Sequence, residues 1–200
     1  MIKDWVSQKY LKKTVSLKSS FQNARPYPYF ELRGFFNKKK LLGLKKEVLK
    51  ERFERQEKDL FSLSNTKELK HSGSKTIKEF YGFLSSGEFI GLMMRLTGQK
   101  HLKSIDMHAH KMVQGDYLLF HDDVIEGRKI AYIVYLCDFK GQDGGKLQLF
   151  DVKNPRNPAA QIIPRFGTFA CFEVSQKSLH VVEEIMGEKD RVTIGGWFYS

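Results

Sequence analysis

The segment Gly115-Asp116-Tyr117-Leu118-Leu119-Phe120-His121-Asp122-Asp123 sets one imidazole and one carboxylate two residues apart at the end of an apolar run that reads as a strand. Side chains two apart share a face of a strand. His121 and Asp123 are therefore two thirds of the 2-His-1-carboxylate set that binds non-haem Fe(II) while leaving coordination positions open. His180 is the best candidate for the missing imidazole. It opens the run His180-Val181-Val182-Glu183-Glu184-Ile185, a polar turn follows at Gly187-Glu188-Lys189-Asp190, and Arg191 opens the next strand. If 180–185 and 191–198 form a hairpin, Arg191 returns beside His180. A guanidinium fork near the metal is what a chelating dicarboxylate needs for its far end. Thr193, two along on the same face, could add a hydroxyl.

Each of these signals alone is common. A His-x-Asp recurs by chance, and a lone strand histidine is more often structural than a ligand. The conjunction selects the metal reading: His-x-Asp after a strand, a distal histidine, an arginine at hairpin distance and, between them, Gly-Gly-x-Leu-x-Leu-Phe at 144–150. Asp122 should point to the opposite face. His71, His101, His108 and His110 fall outside the pattern; the last two form a pair with no carboxylate at the required spacing. Trp197, Phe198 and Tyr199 read as core and edge packing.

These residues need a scaffold. With 200 residues, 41% of them apolar and 13% aromatic, the chain can bury the core of one compact domain, which excludes disorder except at the ends. No run approaches the roughly 20 apolar residues of a membrane span, and MIKDWVSQKYLKK lacks a signal-peptide core. A cytoplasmic protein is expected, or a nuclear one in a eukaryote, with Cys137 and Cys171 as reduced core thiols. The charge of +11 is uneven: residues 1–50 carry thirteen Lys and Arg against three acids. That front end suits RNA or a ribosome, although a merely solvated basic face is an equal alternative.

Residues 1–25 read as a basic lead with weak helical pattern. Pro26 to Leu32 reads as a strand, and residues 38–56 as the clearest helix, capped by Asn37 and striped by Leu41, Leu44 and Val48. Residues 76–98 read as two shorter helices. From about 104, short β-branched and aromatic runs alternate with glycine turns, which predicts a sandwich or barrel covered on one face by helices.

The successive segments GDYLLFHDDV, AYIVYLCDF, GGKLQLFD, PRFGTFACFEV, SLHVVEEI and RVTIGGWFYS resemble the strands of a 2-oxoglutarate oxygenase double-stranded β-helix, a jelly-roll, cupin-like α+β and mostly β fold. Within that superfamily the chain resembles in particular the ribosomal-protein prolyl hydroxylases, which modify a proline of a small-subunit protein near the decoding centre. PYPYFEL, the helix after it and DLFSLSNTKEL extend the likeness upstream, so it covers 26–200 as one catalytic domain, with helical support at about 34–100 and the β-helix at about 104–200. The resemblance implies His121, Asp123 and His180 as catalytic iron ligands, and Arg191, Tyr135 and Thr193 as the 2-oxoglutarate site. It implies Fe(II), 2-oxoglutarate and O2 as cofactors, with ascorbate as a stimulant, and a protein substrate of the translation apparatus. The implied reaction turns 2-oxoglutarate into succinate while a substrate C–H is hydroxylated. The loops Val124 to Lys129, with Arg128 facing the entrance, and Val152 to Ala160 would shape the substrate site.

Two departures stand out. Met112 occupies a position where that group usually has a tyrosine, and eukaryotic members carry a further non-catalytic domain after the Gly-Trp-Phe strand. Competing readings are an oxygenase of a small molecule or peptide on the same chemistry, and a non-catalytic β-helix that binds protein or RNA. The nucleic-acid demethylase branch is disfavoured, because Trp197 stands where that branch has a second arginine.

Overall fold

The computed structural model of the chain describes residues 2–200. Its first half runs α1 (Ile2–Trp5), α2 (Gln8–Leu11), α3 (Thr14–Asn23), β1 (Tyr29–Arg33), α4 (Lys38–Val48), β2 (Glu54–Lys58), β3 (Phe61–Asn65), α5 (Lys75–Leu84) and α6 (Gly87–Thr97). The second half is strands: β4 (Ser104–Ile105), β5 (His108–Met112), β6 (Tyr117–His121), β7 (Arg128–Tyr135), β8 (Leu147–Leu149), β9 (Ala160–Ile162), β10 (Thr168–Glu173), β11 (His180–Val182) and β12 (Arg191–Tyr199). No helix among the described residues is long and apolar enough to cross a membrane.

The strands join into one antiparallel sheet in the order β1-β10-β7-β12-β5-β3-β6-β11-β8-β9, with β2 added to β3 and β4 to β12. The sheet curls over, so that Ala131, Tyr135, Ala170 and Phe172 of one half pack against Leu147, Leu149, Ile162 and Val182 of the other. This is the expected double-stranded β-helix, with helices on one face.

The two faces of the central strands explain their sequences. On β7, Ile130, Tyr132 and Val134 enter the core shared with the helices, while Ala131 and Tyr135 face the barrel interior. A strand buried on both sides loses the apolar–polar alternation and reads as a continuous run, which is why AYIVYLC looks as it does. On β12, Val192, Ile194 and Phe198 join the helical core. The alternate residues Arg191, Thr193, Gly195 and Trp197 line a cavity on the other face.

The helical layer is larger than its apolar periodicity alone suggests. Residues 2–23, which read as a basic lead, contribute Ile2, Trp5 and Phe21 to the core. Trp5 stacks on Phe83 with ring centres 5.5 Å apart. The helix expected over 38–56 ends at Val48 instead. Leu41, Leu44 and Val48 are fully buried, but the next apolar residue, Leu49, is 47% exposed, so the stripe has run out. Beyond it the charged stretch Glu54–Lys58 becomes an edge strand.

That edge is pinned by a buried carboxylate. Asp116 is 1% exposed and sits in the turn between β5 and β6. Arg55 of β2 grips it with both terminal nitrogens, Nη1 at 2.8 Å and Nη2 at 2.7 Å. The Ser62 hydroxyl of β3 and the Val113 amide also donate to it, at 3.0 and 2.9 Å. Burial alone would raise the Asp116 pKa, but the hydrogen bonds from Arg55, Val113 and Ser62 outweigh it and hold the carboxyl below its ordinary value. A pKa depressed in the folded state contributes stability above the unfolded value, and loses it as pH falls through the folded one. Asp116→Asn is therefore expected to destabilise the protein by about 2 kcal/mol near neutral pH. In urea titrations the gap to the wild type should close as the pH drops below about 4; a gap that stays constant in acid would rule out the carboxylate as its source.

Candidate active site

His121 ends β6 and His180 begins β11, and these strands are neighbours, with His180 directly opposite His121. The two rings lie 4.0 Å apart between centres. Each Nδ1 is held 2.7 Å from a backbone carbonyl, that of Leu119 for His121 and that of Ser178 for His180. A carbonyl can only accept, so Nδ1 carries the proton and Nε2 presents a lone pair. Asp123 completes the group: Oδ1 lies 3.6 Å from His121 Nε2, and Oδ2 lies 3.5 Å from His180 Nε2. One ligand atom from each of the three residues falls within 4.8 Å of the others.

The carboxylate reaches this position by a route other than strand alternation. β6 stops at His121, and Asp123 has a φ of 63°, the left-handed region. Aspartate and asparagine enter that region more readily than other side chains. The turn is braced, since the Asp122 carboxylate accepts from the Val124 amide at 3.0 Å and its carbonyl accepts from the buried Ser178 hydroxyl at 2.7 Å. Asp122 thus supports the loop and takes no part in the cluster. His180 is 4% exposed, and burial, with the nearby His121, pushes its pKa down to about 4. It is neutral at ordinary pH, as a metal ligand must be.

Arg191 lines the same cavity, of about 550 Å³, as His121, Asp123 and His180. The hairpin inferred from the sequence does not form. β11 pairs with β6 and β8, whereas β12 pairs with β5 and β7. Residues 183–190 carry the chain from one half of the sheet to the other, tied on the way by the Ile185 amide to the Asp116 carbonyl. Arg191 therefore meets the cluster across the barrel interior.

Its surroundings are unusual for a charge. Arg191 is 3% exposed; Nε donates to the Gly145 carbonyl at 2.9 Å, Nη1 contacts the Met112 sulfur at 3.6 Å, and Nη2 has no partner among the described residues. The Tyr135 ring centre lies 5.3 Å from the guanidinium carbon, and the buried Tyr135 hydroxyl is likewise unpartnered. Burial, partly offset by Arg191, raises the Tyr135 pKa to about 12, so the hydroxyl keeps its proton and can donate. Thr193 is opposite Tyr135 on the neighbouring strand and lines the cavity. Gly145 is left-handed at φ 68°, and a Cβ there would sit 2.7 Å from Ile185 Cδ1 and 3.1 Å from Arg191 Cδ, so only glycine lets the arginine pass. A partner-seeking guanidinium in the same cavity as two imidazoles and a carboxylate, with the Tyr135 ring against it, fits a chelating dicarboxylate on a divalent metal.

Arg128, expected at the entrance, does line the cavity, while other residues there were not assigned to it from the sequence. Trp197, read as edge packing, lies under the Arg128 guanidinium at 3.3 Å, and Trp197 Nε1 and Arg128 Nε are both buried without partners. Both residues line the cavity, as do Gln56, Lys58 and Asn65 from β2 and β3, and His110 from β5. The signal for Trp197 was its two-residue spacing from Arg191, Thr193 and Gly195; nothing local marked the β2–β3 residues.

Residues 107–199 match the family model described as the 2OG-Fe(II) oxygenase superfamily. The chain is 30% identical to a prolyl 3-hydroxylase OGFOD1 of Xenopus laevis over 88% of its own length and 35% of the relative's. It is 33% identical to a prolyl 3,4-dihydroxylase OGFOD1 of Ostreococcus tauri, over 91% and 40%. The chain thus spans between a third and two fifths of the length of these relatives. Among solved structures it resembles a Pseudomonas putida prolyl-4-hydroxylase, with a TM-score of 0.74 at 14% identity over 93% of this chain and 98% of that one. It also resembles a Trichoplax adhaerens prolyl hydroxylase solved with a hypoxia inducible factor peptide, with a TM-score of 0.76 at 15% identity over 96% and 93%. At such identities these two establish the fold.

The geometry of Asp123 separates its backbone role from its carboxylate. Asp123→Asn keeps a residue that tolerates φ 63° and should leave thermal stability nearly unchanged, while Co(II) binding, read from its visible spectrum, weakens more than about a hundredfold. Asp123→Val should lose the same binding and a further 1–2 kcal/mol, roughly, of stability. Undiminished Co(II) affinity in the asparagine variant would remove the carboxylate from the site.

Proposed function

The chain belongs to the 2OG-Fe(II) oxygenase superfamily, and from that premise we propose that it is a peptidyl-prolyl hydroxylase in which His121, Asp123 and His180 hold the iron while Arg191, Tyr135 and Thr193 hold 2-oxoglutarate. The observation that carries this reading is a buried guanidinium, unpaired on one side, in the same cavity as a ready-made facial set of ligands. Bound together, Fe(II) and 2-oxoglutarate would supply oxygen activation, one atom of O2 going into the succinate left when the cosubstrate loses CO2 and the other into a substrate C–H bond.

The protein's part is to hold and to exclude. Leu119 and Ser178 carbonyls fix both imidazoles with Nε2 toward the metal position, so ligation needs no ring rotation. The Arg191 fork, locked by Gly145 and Met112, offers its free Nη2 to the far carboxylate, and the protonated Tyr135 hydroxyl offers a second hydrogen bond. Phe172, tilted against His180 with ring centres 4.6 Å apart, and Leu118, Leu147 and Val182 keep water from this end.

The opposite end suits a peptide. Leu60, 54% exposed, gives an apolar edge, and the Trp197 ring, braced by Arg128, gives an aromatic wall for a compact apolar ring such as proline. The orphan Trp197 Nε1 and Arg128 Nε can donate to peptide carbonyls there. The prolyl hydroxylase names of the relatives support this substrate class. A ribosomal protein as substrate, met in the cytoplasm or nucleus, is the finer proposal. It is supported by the resemblance in sequence and by thirteen basic residues in the first fifty, which suit contact with RNA. The buried free thiols Cys137 and Cys171 agree with a reducing compartment.

Anaerobic addition of Fe(II) and 2-oxoglutarate should give the weak visible charge-transfer band of the chelate, and the band should vanish in Arg191→Ala and His180→Ala. On admitting oxygen with proline-containing ribosomal-protein peptides, succinate should form and one proline should gain one oxygen by mass spectrometry. No band and no succinate would sink the reading. Succinate with a free amino acid, and none with any peptide, would move the substrate to a small molecule. Trp197→Ala should keep the band and raise the peptide KM about tenfold, the loss of ~1.4 kcal/mol of contact.

A further inference from the structure

We propose that His110 is a binding residue for the 2-oxo acid, donating an imidazole N–H to one of its oxygens; this rests on the reading that the cavity takes 2-oxoglutarate. The placement follows from β5. Ala109 of this strand is fully buried in the core shared with the helices, so His110 and Met112 turn to the cavity, and both line it. In the register with β12, Met112 lies opposite Arg191 and His110 opposite Thr193. The same wall therefore carries Arg191, Thr193, Met112 and His110.

The wall is short of one donor. Met112 stands where the resembling group has a tyrosine, and its thioether has no proton to give; it already accepts contact from Arg191 Nη1 at 3.6 Å. His110 is the replacement within reach. Its ring nitrogens hydrogen-bond to no described residue, unlike those of His108, whose Nδ1 lies 3.2 Å from the Thr66 carbonyl. Gly195 lies beside the ring, where a Cβ would make ordinary contact with His110 Nδ1 at 3.7 Å but crowd the Tyr132 carbonyl at 3.1 Å.

Burial, then the proximity of His108 and Arg191, pushes the His110 pKa down to about 4. A neutral imidazole holds one donor and one acceptor, so it adds a hydrogen bond to a carboxylate or oxo group without setting a second buried cation against Arg191. A lysine there would repel Arg191 in the empty cavity. The arrangement is a division of roles on one wall, with Arg191 supplying charge and His110 direction.

The test is calorimetric titration of 2-oxoglutarate into Mn(II)-loaded protein, which reads affinity without turnover. His110→Ala should raise the Kd about tenfold, and His110→Asn, which keeps an N–H donor, should stay within about threefold of wild type. Met112→Tyr placed in the His110→Ala background should recover most of the loss by restoring a hydroxyl to the wall. Unchanged thermal midpoints exclude a folding defect. Wild-type affinity in His110→Ala, or equal losses in the alanine and asparagine variants, overturns the inference. If wild type itself fails to bind 2-oxoglutarate, the reading of the cavity fails and takes this inference with it; tight binding that Arg191→Ala abolishes keeps the two separate.

Discussion

A guanidinium at 3% exposure, with no acid paired to it among the described residues, is the constraint around which the barrel is arranged. Removing such a charge from water costs several kcal/mol, and one backbone carbonyl, a thioether and an aromatic face return only part of it. On the proposed reading, the fold tolerates the remainder because the other half of the pair arrives with the ligand. The surrounding features follow from that. Gly144 and Gly145 are left-handed so that the chain can turn under Ile185 and Arg191, and a Cβ on Gly144 would fall on the Glu184 carbonyl oxygen. The Gly145 carbonyl is thereby aimed at Nε, which leaves the fork one rotational setting.

Strand alternation lets the same residues serve stability and chemistry without conflict. On β12 the odd positions from Arg191 to Trp197 line the cavity, while Val192, Ile194 and Phe198 pack under the helices. Those helices bring an aromatic cluster in which Phe35, Phe36, Phe80, Phe83, Phe89 and Phe169 meet within 4.8 to 6.5 Å of one another. Where β12 gives its inner face to Arg191, Thr193 and Gly195, its hydrophobic stabilisation comes from the outer face, for which the helical layer provides the apolar surface. Helices covering one face expose their other side to solvent, and Lys3, Lys9, Lys18, Lys38, Lys39 and Lys46 lie on that exposed side.

How much of this was legible follows the range of the signals. Residue type and order were enough to pick out His121, Asp123, His180 and Arg191, which the fold brings to one cavity. The helices at 75–97 were legible from periodicity. Features made by long-range contact were not. Strand pairing of His180 with His121, in place of a hairpin to Arg191, is set by the curl of the sheet and leaves no local trace. The end of α4 at Val48 depends on what its stripe meets, and the strand after it on Asp116, which lies 61 residues from Arg55. His110 was set aside for want of a carboxylate on its own strand, a criterion that suits a metal ligand and is silent about a hydrogen-bond donor to a bound acid. The left-handed backbone of Asp123 replaced the simple same-face rule with a turn that delivers the same convergence.

The cavity then divides by how its residues are held. At the metal end every group is fixed by backbone: His121 and His180 by carbonyls of Leu119 and Ser178, Asp123 by its turn, Arg191 by Gly145. At the other end Gln56, Lys58 and Leu60 come from the β2–β3 hairpin, whose outer strand pairs on one side only and is anchored through the single carboxylate of Asp116. Positional precision is needed where bonds are made and broken, and it is obtained from main-chain contacts that substitution of neighbouring side chains does not disturb. Recognition of a partner tolerates looser support, and side chains on an edge hairpin can be exchanged without touching the barrel. On the proposed reading, a chain built this way would keep its cosubstrate chemistry constant while its substrate changes, and the choice of substrate would lie with β2, β3, Arg128 and Trp197 rather than with the ligand set.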